Sequence, residues 1–170
     1  MAVTSRLRVI LDAMETATSL GVALGTSQLS HAVDWDTGLF ASGTASNTQD
    51  LIWSAQDSVA AGAPDTVDVA GTLTSKLSGA TISMVEVTLI YIRNKSTTTA
   101  EILEIGAGSN PLLNWVKATG DAIKIGPGGV FLLTSPVDGF AVTATTGDIL
   151  TITSASGTIL YDIVIMGRSA

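Results

Sequence analysis

The chain of 170 residues contains no cysteine, which excludes disulfide bonds, thiolate nucleophiles and thiolate metal sites. It has one histidine, His31, and a Ser-His-Asp triad would depend wholly on that residue. No Gly-x-Ser-x-Gly sequence accompanies it. We therefore expect His31 to be an ordinary strand or surface residue, and we expect the protein not to be an enzyme.

Charged residues are also scarce, at 14% of the chain where roughly 25% is usual. The net charge of -7 disfavours direct binding to the phosphates of nucleic acids. No apolar run approaches the roughly 18 residues of a membrane-spanning helix, so we expect no membrane contact. The surface must therefore be covered by neutral hydroxyl groups and backbone.

Metal and cofactor signatures are missing from the sequence as well. No Asp-x-Asp-x-Asp-Gly loop is present, and the glycines of 106–108 and 126–129 do not lead into a Lys-Ser/Thr pair or a substantial helix. These glycines are typical of turns. We predict no metal and no cofactor.

Hydrophobic residues make up 46% of the chain, and from about Val67 onward they form short runs separated by Gly, Asn, Asp and Ser clusters. This pattern predicts an all-β protein of about eight to ten antiparallel strands in two packed sheets, a β-sandwich. No linker or fixed-period repeat divides the chain. We expect one domain over 1–170, with a less regular segment over about 1–66.

The clearest predicted strand is Ile82–Arg93, which has Val85, Val87, Leu89 and Tyr91 on the parity that we assign to the core. A turn at 94–98 predicts that the next strand, Ala100–Ile105, forms a hairpin with it.

Two predicted strands are apolar on both faces: the far end of Ile82–Arg93 and the final strand, Thr158–Met166. In the final strand one face carries Ile159, Tyr161, Ile163 and Ile165, and the other carries Leu160, Val164 and Met166. A two-sheet sandwich buries only one face of each sheet. The second face must therefore contact another chain or the N-terminal third of this one. The first reading predicts a homo-oligomer. The candidate interface residues are Ile90, Ile92, Leu160, Val164 and Met166.

Two aromatic positions suggest a different function. Trp35 lies between Asp34 and Asp36, and Trp115 follows an asparagine in a loop, so either indole could stack on a sugar. The two carboxylates could also serve as a glycosidase pair. However, Asp34 and Asp36 are two residues apart on a strand, and the same spacing suits a solvated edge with one buried anchor.

Over roughly its last hundred residues the chain resembles a group of tailed-phage virion proteins, the small head decoration or cement proteins. The similarity lies in strand and turn segments, not in catalytic signatures. These segments are Asp68–Leu73, Leu77–Ile82, Ile90–Ser96, Ile123–Gly129, Gly147–Leu150 and Tyr161–Gly167, with a weaker likeness at 41–44 and 50–53.

The resemblance implies that the β-sandwich is jelly-roll-like. It also implies a non-enzymatic protein that assembles in the host cytoplasm, sits on the capsid surface of the virion and stabilises the head. Its partner would be the major capsid protein of the same virion, and its own oligomer would be a trimer. The alternative is a host-recognition or glycan-binding module on the tail or head fibre, for which Trp35 or Trp115 would be the platform.

Overall fold

The computed structural model describes residues 5–11, 33–40, 42–75, 79–106, 108–112, 114–118 and 120–169, with side chains from residue 42 onward. The chain divides into two compact units, Thr4–Phe40 and Ala41–Ala170. In the first unit, β1 (Ser5–Leu11) pairs with β2 (Val33–Phe40) in an antiparallel ladder. His31 lies outside the described residues.

The second unit contains the sandwich, and the predicted all-β antiparallel fold is confirmed. Every pair of its described strands is antiparallel. The jelly-roll connectivity stays a prediction. Its strands are β3 (Leu51–Ala60), β4 (Asp65–Asp68), β5 (Leu73–Thr74), β6 (Thr81–Ile82), β7 (Glu86–Asn94), β8 (Leu103–Gly106), β9 (Ala122–Ile125), β10 (Val130–Thr134), β11 (Phe140–Ala141), β12 (Ile149–Ser154) and β13 (Thr158–Arg168).

Two sheets form the layers of this unit. The five-stranded sheet has the order β10-β7-β13-β3, with β11 also on β7, and the four-stranded sheet has the order β4-β12-β8-β9. β5 and β6 form a separate two-stranded ladder. The segment expected to be less regular, about 1–66, thus includes β3, a ten-residue strand of the larger sheet.

The inner faces of both sheets contribute to a single hydrophobic core. The strand β13 supplies Ile159, Ile163 and Ile165 from one parity, and each is no more than 1% exposed. Leu160 on the opposite parity is 42% exposed. The assignment of these two faces from the sequence is therefore confirmed. The four-stranded sheet places Val67, Leu103, Ile105, Ile125, Leu150 and Ile152 opposite them.

A β-bulge interrupts β7 at Thr88. On the neighbouring β13, Met166 pairs with Leu89 and Gly167 pairs with Val87, so Thr88 has no partner there. Gly167 is required at this point because a Cβ atom on it would lie 2.3 Å from the backbone oxygen of Glu86. The bulge adds one residue to β7 and so moves every later side chain to the opposite face.

The bulge corrects the predicted faces of β7. Val87 before the bulge lies in the core as expected, but after the bulge Ile90 and Ile92 are the core residues and both have no exposed surface. Tyr91 lies on the outer face instead, and Val85 is 41% exposed. The sequence assignment was wrong for Ile90, Tyr91 and Ile92 because it assumed uninterrupted alternation. It was also wrong for Val85, which precedes both the bulge and the first residue of β7.

The predicted hairpin between the strands around 90 and 103 is also wrong, because β7 and β8 belong to different sheets. The buried side chain of Asn94 organises the crossing between them. Its Nδ2 donates to the backbone oxygens of Glu101 and Ile125, at 2.9 and 3.0 Å, and its Oδ1 accepts from the backbone N–H of Ser96. These bonds link the end of β7 to the strands of the other layer.

A second buried polar side chain, Arg168, ties three segments together at the end of β13. It is 2% exposed, and its Nη1 donates to the backbone oxygens of Ala45 at 3.0 Å and Val137 at 3.3 Å. Its Nε lies 2.6 Å from Oε2 of Glu86, an ion pair whose N–H is not aligned for a hydrogen bond. The guanidinium is buried whereas the Glu86 side chain is 34% exposed, so loss of Glu86 would leave a buried charge without its counter-ion. The two carbonyl contacts hold the loops of Ala45 and Val137 in place.

Tyr161 joins the two layers. Its ring is 1% exposed, and its hydroxyl donates to Oδ2 of Asp65 on β4. Burial raises the pKa of Tyr161 well above its usual value, and the hydrogen bond to Asp65 raises it further. The folded protein therefore strongly favours the neutral phenol.

We predict that Ile163→Ala lowers the free energy of unfolding by roughly 2–5 kcal/mol, because it leaves a cavity between the sheets. Leu160→Ala, on the exposed face of the same strand, should change it by no more than about 0.5 kcal/mol. Urea denaturation followed by tryptophan fluorescence measures both. Equal losses in the two variants would contradict the assignment of the core face.

We predict that stability falls as the pH rises above about 10. In that range the unfolded tyrosine loses its proton while the folded Tyr161 keeps it, so the slope approaches about 1.4 kcal/mol per pH unit. The difference in unfolding free energy between the protein and Tyr161→Phe, measured between pH 8 and 11, isolates this effect. A difference that stays constant over this range would contradict it.

Candidate interaction surface

The outer faces of the two sheets differ in chemistry. On the four-stranded sheet, the outward positions carry hydroxyl groups and charges. The exposed Thr66 pairs with the buried Thr151, and the exposed Lys124 forms a 3.0 Å ion pair with Glu104. Glu104 also pairs with Thr153 on the neighbouring strand. The exposed part of this face is well suited to water.

The outer face of the five-stranded sheet is largely apolar. Across the strands, Val164 pairs with Tyr91, and Tyr91 pairs with Leu132. In the next row, Met166 lies between Leu89 and Ile52. We call these six residues the outer patch: Ile52, Leu89, Tyr91, Leu132, Val164 and Met166. Leu89 is buried and the other five are half-buried.

A polar row borders the outer patch. Asp162 on β13 pairs with Gln56 and Arg93, and its Oδ1 accepts from Gln56 Nε2 at 2.8 Å. Lys95 Nζ lies 3.5 Å from the same oxygen. The hydrogen bond from Gln56 lowers the pKa of Asp162, and the positive charge of Lys95 contributes to the same shift. The apolar surface therefore has a defined edge on this side.

The five candidate interface residues lie in three different places in the structure. Ile90 and Ile92 are completely buried in the core, so they cannot contact another chain. Their selection as interface residues was wrong because the bulge at Thr88 turns them to the inner face. Val164 and Met166 belong to the outer patch. Leu160 lies beyond the polar row on the same face. The sequence analysis did not identify Tyr91 or Leu132 as surface candidates. Tyr91 was missed because the bulge that places it on this face leaves little trace in the sequence.

Trp115 is anchored by the fold. Its indole Nε1 donates to the backbone oxygen of Leu112 at 2.8 Å, and its ring centroid lies 5.8 Å from that of Phe131 at a tilt of 52°. The ring is half-buried against the core. A sugar would therefore find neither a free indole N–H nor a fully open ring.

The other proposed sugar platform lies in the first unit. Asp34, Trp35 and Asp36 are part of β2, where they pair with Ile10, Val9 and Arg8 of β1. Their side chains lie outside the described part of the structure, so the glycan and glycosidase interpretations of these residues stay predictions.

The open clefts among the described residues include the following two. One, of about 360 Å³, is lined by neutral groups that include Thr66, Asn110 and Thr151. The other, of about 200 Å³, lies beside the start of β3, between Ile52 and Thr81. Neither lining contains a histidine or a pair of carboxylates, the groups that acid-base chemistry most often uses.

Within the described side chains, no group of three or more His, Asp or Glu residues could hold a metal ion. The described residues also contain no helix with the length and apolar character needed to cross a bilayer.

Comparison with known proteins provides no family assignment, because the chain matches no protein-family model and no curated protein.

Proposed function

We propose that this protein is a non-enzymatic structural component of a phage virion, a decoration protein that binds the assembled head and stabilises it. The observation that supports this proposal most directly is the contrast between the two outer faces. One face carries threonines and an ion pair, whereas the other carries the outer patch. A sandwich with this asymmetry can turn its polar sheet to water and its apolar sheet to another protein.

The energetics of such a contact are favourable. Burying apolar area contributes roughly 25 cal/mol per Å², and the outer patch has no charged side chain that would have to lose its hydration. The charged groups beside it, Arg93, Lys95 and Asp162, lie in the polar row at its border, where Lys95 and Asp162 form an ion pair. The patch therefore suits a broad contact with many modest contributions, which is what reinforcement of a shell requires.

The partner in this proposal is the major capsid protein of the same virion, and the location is the outer surface of the capsid. The proposal includes a homo-oligomer, because several copies bound to one shell gain avidity without strong individual sites. The expectation of a trimer comes only from the resemblance to head decoration proteins.

The test is co-sedimentation of the purified protein with shells assembled from that capsid protein. We predict that Val164→Asp weakens the association by about tenfold or more, because it places an unpaired carboxylate in an apolar contact. The matched control is Thr66→Asp, which adds the same charge to the outer face of the other sheet and should leave association unchanged.

Failure of the unmodified protein to sediment with its shells would refute the decoration role. An equal loss in both variants would refute the assignment of the contact to the outer patch. Binding on a glycan array that disappears in Trp115→Ala, with the fold retained, would instead favour the host-recognition alternative.

A further inference from the structure

The strand β3 forms one edge of the five-stranded sheet, and its free edge has unusual properties. It pairs with β13 over ten consecutive residues without a register shift, and no other described strand pairs with its opposite side. Natural edge strands are commonly short, bulged or protected by charges and proline. β3 contains no proline, and Asp57 is its only charged residue.

The hydrogen-bonding pattern identifies the backbone groups that are open on this edge. The N–H of Ala61 donates to the backbone oxygen of Gly157, so the odd-numbered residues of β3 bond to β13. The even-numbered residues direct their N–H and C=O groups away from it. Among these, the N–H of Ser58 is already occupied, because it donates to Oδ1 of Asp57 at 2.8 Å. The carbonyl of Ala60 accepts from the N–H of Ala63 at 3.1 Å. Within the described structure, the residues with both backbone groups open on this edge are therefore Ile52, Ser54 and Gln56.

The inner face of β3 is only partly buried, because β3 is an edge strand. Leu51, Trp53 and Ala55 pack against the core but are only partly buried, because the sheet ends at this strand. The exposed outer residues Ser54 and Gln56 are neutral, so pairing would not strip the hydration from a charge. The edge therefore offers backbone groups and apolar surface together.

We propose that two copies of the chain join their β3 strands in antiparallel fashion about a twofold axis at Ser54, forming one continuous sheet. In this register Ile52 pairs with Gln56 of the second copy, and Ser54 pairs with its own counterpart. Each of the three open residues then gives and receives one backbone hydrogen bond. On the inner side the large Trp53 lies opposite the small Ala55 of the second copy.

Two features favour this register over those with the twofold axis at Gln56 or Ala55: the charge of Asp57 and the occupied N–H of Ser58. A twofold axis at Gln56 would bring the two Asp57 side chains to diagonal positions about 7–8 Å apart. An axis at Ala55 would place Ile52 opposite Ser58, whose N–H is already occupied. With the axis at Ser54, the two Asp57 residues are separated by six residues along the strands, or about 20 Å.

The contact joins copies in pairs, so it predicts a dimer where the resemblance implies a trimer. It leaves the outer patch free, because the added strand continues the sheet sideways and covers neither face. The proposal does not depend on the decoration role. Co-sedimentation with shells can fail while the dimer forms, and the reverse is also possible.

Single-cysteine cross-linking tests the register directly, because the chain contains no cysteine of its own. In the proposed dimer the two copies of residue 54 form a hydrogen-bonded pair with Cα atoms about 5.5 Å apart, within the range of a disulfide bond. Ser54→Cys should therefore give a covalent dimer on mild oxidation or with a short bis-maleimide. Ser58→Cys, on the same face of the same strand, is the control, since its two copies would lie about 27 Å apart.

A proline variant tests the same contact without covalent chemistry. Ser54→Pro removes an N–H that does not bond to β13, so the fold loses no ladder hydrogen bond while the dimer loses two at its centre. Light scattering should give twice the 17.3 kDa chain mass for the unmodified protein and for Ser58→Pro, and the single-chain mass for Ser54→Pro. Circular dichroism and the melting temperature check the fold of each variant.

A single-chain or trimeric mass for the unmodified protein would overturn the proposal. Cross-linking at residue 58 equal to or above that at residue 54 would overturn it as well. If Ser54→Pro does not fold, the cross-linking comparison alone decides, because both cysteine variants replace one small exposed side chain by another.

Discussion

The alternation of side chains along β13 determines how this protein is built. The strand has eleven residues and pairs with β7 on one side and β3 on the other, so it can neither shift nor rotate without breaking both ladders. Its odd-numbered isoleucines and Tyr161 then have to enter the core, and its even-numbered residues have to face outward. The core, the link to the second layer through Asp65 and the outer patch all follow from this one assignment.

The sequence was sufficient for properties that depend on local alternation and turn residues. The all-β class and the two faces of β13 could be predicted because each is expressed in neighbouring residues. The faces of β7 beyond residue 88 could not be predicted, because a bulge depends on how the partner strand is positioned. The crossing after Asn94 was misread as a hairpin turn for a similar reason, since the groups that hold it belong to residues 101 and 125.

The candidate surface was recovered in part. Val164 and Met166 were identified because β13 alternates without interruption, whereas Ile90 and Ile92 were misplaced by the bulge. The contrast between the faces of the two sheets could not be deduced from one strand at a time. It depends on which strands are neighbours, and the pairing of Thr66 with Thr151 joins residues 85 positions apart. The low overall charge could be read from the composition. The distribution of the charged residues between the two sheets could be described only once the strand order was known.

The position of Arg168 has a mechanical consequence. Asp50 accepts hydrogen bonds from the backbone N–H and hydroxyl of Ser169, and Arg168 holds the carbonyl of Ala45, so the chain enters and leaves the sandwich at the same corner. A force that pulls these two points apart acts across the β3–β13 ladder from one end and loads its hydrogen bonds one after another, not all together. The Arg168 and Asp50 contacts are the first to bear such a load, and the sheet would begin to unzip only after they break.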